Sequence, residues 1–222
     1  MLLRKSLLLA TMSMCFLGVS ASASTIVWDW GNPAGGPVGS SVYATDSAPA
    51  SGILLTDRGY NLDGSAHLLF WKNEGSDEHG IGFVNTFDNE LTLNENGLTP
   101  ANFMQIDVSP IYLTLTNAAI RVQSVTGGEA WDLWGTNTLG ALAGATELIN
   151  GSTADNVFTA LPSWGTYRYY DLTVHPHAAS PADNVLLDAV EADGSVPEPA
   201  TMTLFATGGL VLLLLGRTRA RQ

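Results

Sequence analysis

Cysteine is nearly missing from this chain of 222 residues: its one thiol, Cys15, sits in an apolar run close to the N-terminus. Beyond residue 23 there is none, which excludes disulfides, a catalytic cysteine and Cys-ligated zinc from that part of the chain. Positive charge is almost as scarce. Between residues 24 and 196 only Arg58, Lys72, Arg121 and Arg168 stand against 20 carboxylates, a formal −16, where the whole chain carries −12. A surface of that sign repels nucleic acid and anionic lipid, so nucleic acid is not an expected partner. Solubility is the plainest use of the charge, and divalent cations are what it would attract. Long amphipathic stripes are also lacking, since no segment here keeps a helical apolar period beyond about three turns. The G-x-S-x-G elbow of serine hydrolases does not occur. Carboxylate pairs arise by chance among so many acids, so no glycosidase pair is assigned. The chain does not read as an enzyme.

Both ends have the composition of targeting segments. Met1-Leu2-Leu3-Arg4-Lys5 opens with positive charge, an apolar run follows from Leu7 to Val19, and Ala21-Ser22-Ala23 supplies small residues. That order predicts a secretory signal peptide over residues 1–23, cleaved after Ala23, with Ala21 and Ala23 as the recognition residues. Met14 is too bulky for a lipoprotein signal at Cys15. At the other end, Val196-Pro197-Glu198-Pro199-Ala200 precedes an apolar run from Met202 to Leu215, and Arg217, Arg219 and Arg221 follow. The run is short for a spanning helix. The arginines favour a cytoplasmic C-terminus by the positive-inside rule, and the prolines impose an extended segment that a protease can bind.

Between these ends, over residues 24–195, clusters of Gly, Asn, Asp, Ser and Pro separate short runs rich in β-branched and aromatic residues. Strands are predicted over 25–30, 66–71, 103–108, 111–116, 118–125, 130–134, 167–174 and 184–190. Residues 141–149 are the one candidate for a short helix, with Gly140 and Gly144 against it. Residues 31–50, rich in Gly and Pro, read as a long loop or irregular edge. The expected fold class is all-β: a β-sandwich or jelly-roll-like ectodomain flanked by an N-terminal signal helix and a C-terminal transmembrane helix.

Val196-Pro197-Glu198-Pro199, the apolar run and the arginine cluster together resemble the PEP-CTERM sorting signal of Gram-negative bacteria, over residues 196–222. The resemblance implies recognition by exosortase, a membrane protease-transpeptidase linked to exopolysaccharide and biofilm matrix. It implies export, transient anchoring in the inner membrane, and delivery to the cell surface or extracellular matrix. A second, shorter resemblance lies within the domain. Glu78-His79-Gly80-Ile81-Gly82 with Asn89-Glu90-Leu91, and Asn184-Val185-Leu186-Leu187-Asp188, look like β-sandwich ectodomains that often precede this tail; no activity follows from it.

The remaining candidates are residue clusters. Glu74-Gly75-Ser76-Asp77-Glu78 and Asp88-Asn89-Glu90 gather oxygen donors on Gly-rich loops, read first as solvated loops and second as a calcium site built from Asp77, Glu78, Asp88 and Glu90. Asp57–Gly64 approaches an EF-hand spacing, but Gly59 and Leu68 stand where ligands are needed. His175-Pro176-His177 offers two imidazoles without a spaced third zinc ligand and reads better as a surface turn. Six tryptophans (Trp28, Trp30, Trp71, Trp131, Trp134 and Trp164) read first as core. If exposed, they would form a stacking platform for extracellular polysaccharide. The functional expectation is therefore a structural or adhesive protein sorted by exosortase. The alternative is a carbohydrate-binding module, calcium-dependent or not; a secreted hydrolase comes last.

Overall fold

The computed structural model describes residues 23–30, 35–46, 52–75, 78–94, 97–176 and 183–195. The expected signal peptide up to Ser22, the Pro-Glu-Pro tail with Val196, Pro197, Glu198, Pro199, Arg217, Arg219 and Arg221, and the acidic residue Asp77 lie outside them. Thr25–Gly194 forms one compact unit. Among the described residues no helix is long and apolar enough to cross a membrane.

The described residues are all-β, with two antiparallel sheets in a β-sandwich-like arrangement. Its strands are β1 (Ala23–Asp29), β2 (Gly36–Gly39), β3 (Ser41–Thr45), β4 (Leu54–Asn61), β5 (Leu69–Asn73), β6 (His79–Phe83), β7 (Leu91–Thr92), β8 (Asn102–Asp107), β9 (Thr116–Gln123), β10 (Trp131–Thr136), β11 (Thr146–Ser152), β12 (Phe158–Ala160), β13 (Tyr169–Val174) and β14 (Asn184–Ser195). The first sheet runs β12-β9-β14-β6-β5-β2, with β1 and β7 also pairing β14; the second runs β11-β10-β13-β8-β4-β3. Ala23, the expected last residue of the signal, opens β1.

Alternation along β8 puts Met104 and Ile106 on one face, Phe103 and Gln105 on the other, and all four are fully buried. The second sheet is therefore covered on both sides at its centre, which explains why so many of its strands lack a clean polar face. One cover is the segment after β10. Gln105 Nε2 donates to the Thr138 carbonyl at 3.3 Å, and the Gly140 N–H donates to Gln105 Oε1 at 2.9 Å. Trp28, Trp131, Phe83, Phe103, Ile81 and Leu69 are among the largest buried side chains. Each contributes on the order of 1.5–3 kcal/mol by leaving water.

Two expectations fail for local reasons. Residues 111–116 are mostly turn rather than strand. The Asp107 carboxylate accepts from the Ser109 N–H at 3.1 Å and its hydroxyl at 2.5 Å. Ile111 and Tyr112 then donate to the Val108 carbonyl, and Leu115 to that of Ile111. An Asx-type cap followed by Pro110 closes a helical turn that β-propensity alone does not foresee. Residues 141–149 hold no helix; Thr146–Ser152 is β11, paired with β10, and Gly144 takes a φ of +84°. In the region read as a long loop or irregular edge, β2 and β3 stand at the ends of the two strand orders, pairing with β5 and β4.

Candidate functional site

Lys72 is the centre of the best-defined polar site. It sits in β5 directly after Leu69-Phe70-Trp71, and its side chain is 1% exposed. Its Nζ donates to Asp88 Oδ2 at 2.6 Å and to Glu90 Oε1 at 2.6 Å, and Glu78 Oε2 lies 3.1 Å away. Glu78, Asp88 and Glu90 are the three expected calcium ligands that lie within the described residues, and they do converge. The cation they surround here is the protein's own ammonium.

The strand beneath explains how these groups meet. Gly80 and Gly82 of β6 stand across from Lys72 and Phe70 in the β5–β6 ladder. A Cβ on Gly82 would lie 2.1 Å from the Asn89 carbonyl oxygen, and one on Gly80 would lie 2.4 Å from that of Leu187. The missing side chain of Gly82 thus lets the turn between β6 and β7 lie against the sheet, and that of Gly80 lets β14 approach β6. That turn is bent hard: Asn85, Asp88 and Asn89 all have φ near +60° (61°, 56° and 57°). Such values are uncommon outside glycine and tolerated best by Asn and Asp. Thr86 Oγ1 closes it, donating to the Glu90 carbonyl at 2.6 Å and the Phe83 carbonyl at 2.9 Å.

Glu90 is fully buried and held at both oxygens. Ser124 Oγ donates to Oε1 at 3.0 Å, and the Asn184 amide, oriented to suit its neighbours, donates to Oε2 at 3.0 Å and to Glu129 Oε1 at 3.2 Å. Burial pushes its carboxyl up to about 7 against the pull of Lys72 and Ser124. Burial works against a charged Lys72 as well, but hydrogen bonds to Asp88, Glu90 and Glu78 outweigh it and hold the amine protonated.

A second network lies beside the first. His79 Nδ1 donates to Asp188 Oδ1 at 3.0 Å, Arg121 Nε donates to the other oxygen of Asp188, and Gln123 Nε2 reaches His79 Nε2 at 3.2 Å. The tautomer that satisfies both neighbours carries its proton on Nδ1. Asp188 is wholly buried, and burial raises its pKa although Arg121 and His79 oppose the rise. Both nitrogens of His79 are occupied within the protein, so this imidazole is a structural hub rather than a poised base. The two short motifs, 78–82 with 89–91 and 184–188, therefore interlock: Asn184 reaches Glu90, and Asp188 reaches His79.

Elsewhere the candidates separate. His175 Nδ1 donates to Asp132 Oδ1 at 2.8 Å, while His177 lies outside the described residues. Asp57 belongs to strand β4, not to a calcium loop, and is fully buried. None of the six tryptophans is exposed. Trp28, Trp131, Trp134 and Trp164 each donate their indole N–H to a protein oxygen, so they anchor the fold, and no tryptophan platform faces solvent. All four cations of the domain are engaged: Arg58 with Asp107 at 3.1 Å, Arg168 with Tyr112, Lys72 and Arg121 as above. In the sequence Lys72 stands out only as one of four cations, and nothing there places it among Glu78, Asp88 and Glu90, which flank β6. Comparison with protein-family models, with curated proteins and with solved structures gives no match to this chain.

Proposed function

We propose that this is an exported cell-surface or extracellular-matrix protein, sorted by exosortase through its Pro-Glu-Pro tail and carrying a structural or adhesive β-sandwich ectodomain. The observation behind this reading is the three-part tail: Val196-Pro197-Glu198-Pro199, an apolar run, and Arg217, Arg219 and Arg221. The arginines hold the end of the tail in the cytoplasm and keep Pro-Glu-Pro at the outer face of the inner membrane. There the prolines fix φ and remove donors, leaving an extended strip for the enzyme, and Glu198 offers one charge to a cationic pocket. The domain supports a structural task in its own way. Lys72 with Glu90 and Asp88, Arg121 and His79 with Asp188, and His175 with Asp132 are directed at one another, as suits a scaffold, and extracellular polysaccharide is the partner its destination would offer.

The test changes Pro197, Glu198 and Pro199 to alanine and follows the chain by immunoblot in membrane and extracellular fractions. The expected result is intact export with an uncleaved form accumulating in the inner membrane, as the native chain does in an exosortase deletion strain. Equal size and location of mutant and native chains in both strains would leave only an ordinary membrane anchor.

A further inference from the structure

Only two lysines occur in the chain, Lys5 and Lys72. Lysine side chains are almost never fully buried, yet Lys72 is 1% exposed with two carboxyl groups at 2.6 Å. Those two groups are held differently. Glu90 is fixed at both oxygens by Ser124 and Asn184. Asp88 has Lys72 as its one hydrogen-bond partner among the described residues and stands on a turn with φ of 56°. One carboxyl is immobilised; the other is free to turn its carbonyl carbon toward the amine.

We propose that Lys72 and Asp88 form an intramolecular amide crosslink, with Glu90 as the proton relay. The ammonium first gives a proton to the Asp88 carboxylate, leaving a neutral amine and a neutral acid in contact. The Nζ lone pair attacks Asp88 Cγ, and a C–N bond forms. Glu90 takes a proton from Nζ and passes it to the departing hydroxyl, so the Cγ–O bond breaks and one water leaves. Atoms and charges balance without oxidant or co-reactant. Proximity supplies the drive, since the reacting groups are pre-positioned by a close-packed turn, and burial of Lys72 favours the neutral amine once its proton has passed to Asp88. The bond joins β5 to the β6–β7 connection in a domain without any cysteine. It would constrain the unfolded chain as a disulfide does.

Intact mass spectrometry of the purified, denatured full-length chain, with peptide mapping, tests this directly. The expected native product is lighter than its sequence by one water and yields a branched peptide linking Lys72 to Asp88. Asp88→Ala should keep its full mass. Asp88→Asn should reach the same final mass as the native product, by losing ammonia in place of water. Glu90→Gln should keep its full mass while circular dichroism shows it folded. A native chain of full mass, with an unmodified Lys72 peptide after prolonged incubation, overturns the proposal. A branch to Glu78 or Glu90 overturns the choice of Asp88, and a Glu90→Gln chain that crosslinks as fast as native overturns the relay.

Discussion

Two carboxylates buried against the first sheet and two in the second are accommodated in opposite ways. On the first, Glu90 and Asp188 are sealed from water but each faces a cation, Lys72 or Arg121. On the second, neither oxygen of Asp57 has a hydrogen-bond partner. Asp171 accepts from Gln105 Nε2 at 2.8 Å with one oxygen and leaves the other unpartnered. Burial drives Asp57 well above the usual carboxylate range and lifts Asp171 to about 8, so these two are held as neutral acids. A buried acid is thus accommodated either by an opposing charge or by its own proton. The first solution fixes geometry, because an ion pair at 2.6 Å tolerates little movement; the second makes stability depend on pH.

Removing the cation should break the first solution most severely. Lys72→Met leaves Glu90 buried without its counter-charge, and such a change costs about 3–5 kcal/mol. Urea unfolding should show it as a lower midpoint, and adding Glu90→Gln should recover part of the loss. Glu78 is partly exposed and should contribute far less. An unchanged midpoint for Lys72→Met would mean that water reaches Glu90 and that the two sheets do not differ in this respect.

Gly82→Ala comes next. Its methyl would collide with the Asn89 carbonyl, which belongs to backbone and cannot swing aside. Overpacking of this kind costs about 1–3 kcal/mol. Thermal melting should detect it; Gly82 is not among the glycines of positive φ, so the loss is steric.

The smallest effect is the most specific to the second sheet. The Asp171 pKa is about 8 folded and about 3.9 unfolded, so the unfolded chain binds fewer protons across that interval. Stability should then fall as pH rises from about 4 toward 8 and level off above. Asp171→Asn keeps the acceptor for Gln105 but cannot ionise, so its melting temperature should exceed that of the native chain at pH 8 and match it near pH 4. Gln105, which also donates to the Thr138 carbonyl, and the Tyr60 hydroxyl are the polar groups that act on it or feel its charge. Asp57 and Glu90 shift in the same direction, so a shallower slope should persist in the variant. Parallel curves for the two proteins would show that Asp171 finds a partner when charged.

The fold class was readable because period-2 runs and turn residues are local: β8, β9, β13 and the start of β14 fall within a residue or two of where their composition places them. The β6 strand, His79–Phe83, was not readable as one, since Gly80 and Gly82 weaken strand propensity and acquire meaning only from the backbone packed on them. The same holds for Lys72, whose charge within an apolar strand has no sequence partner: Asp88 and Glu90 lie 16 and 18 residues away.

By itself the sequence determined the all-β class, the acidity and the lack of thiols beyond residue 23, because each is written in composition or in contiguous residues. Only tertiary structure decided which acids are neutralised by a cation and which by a proton. That choice depends on what lies across a sheet or under a turn, where burial and distance set the electrostatics, and neither is a property of neighbouring residues in the chain.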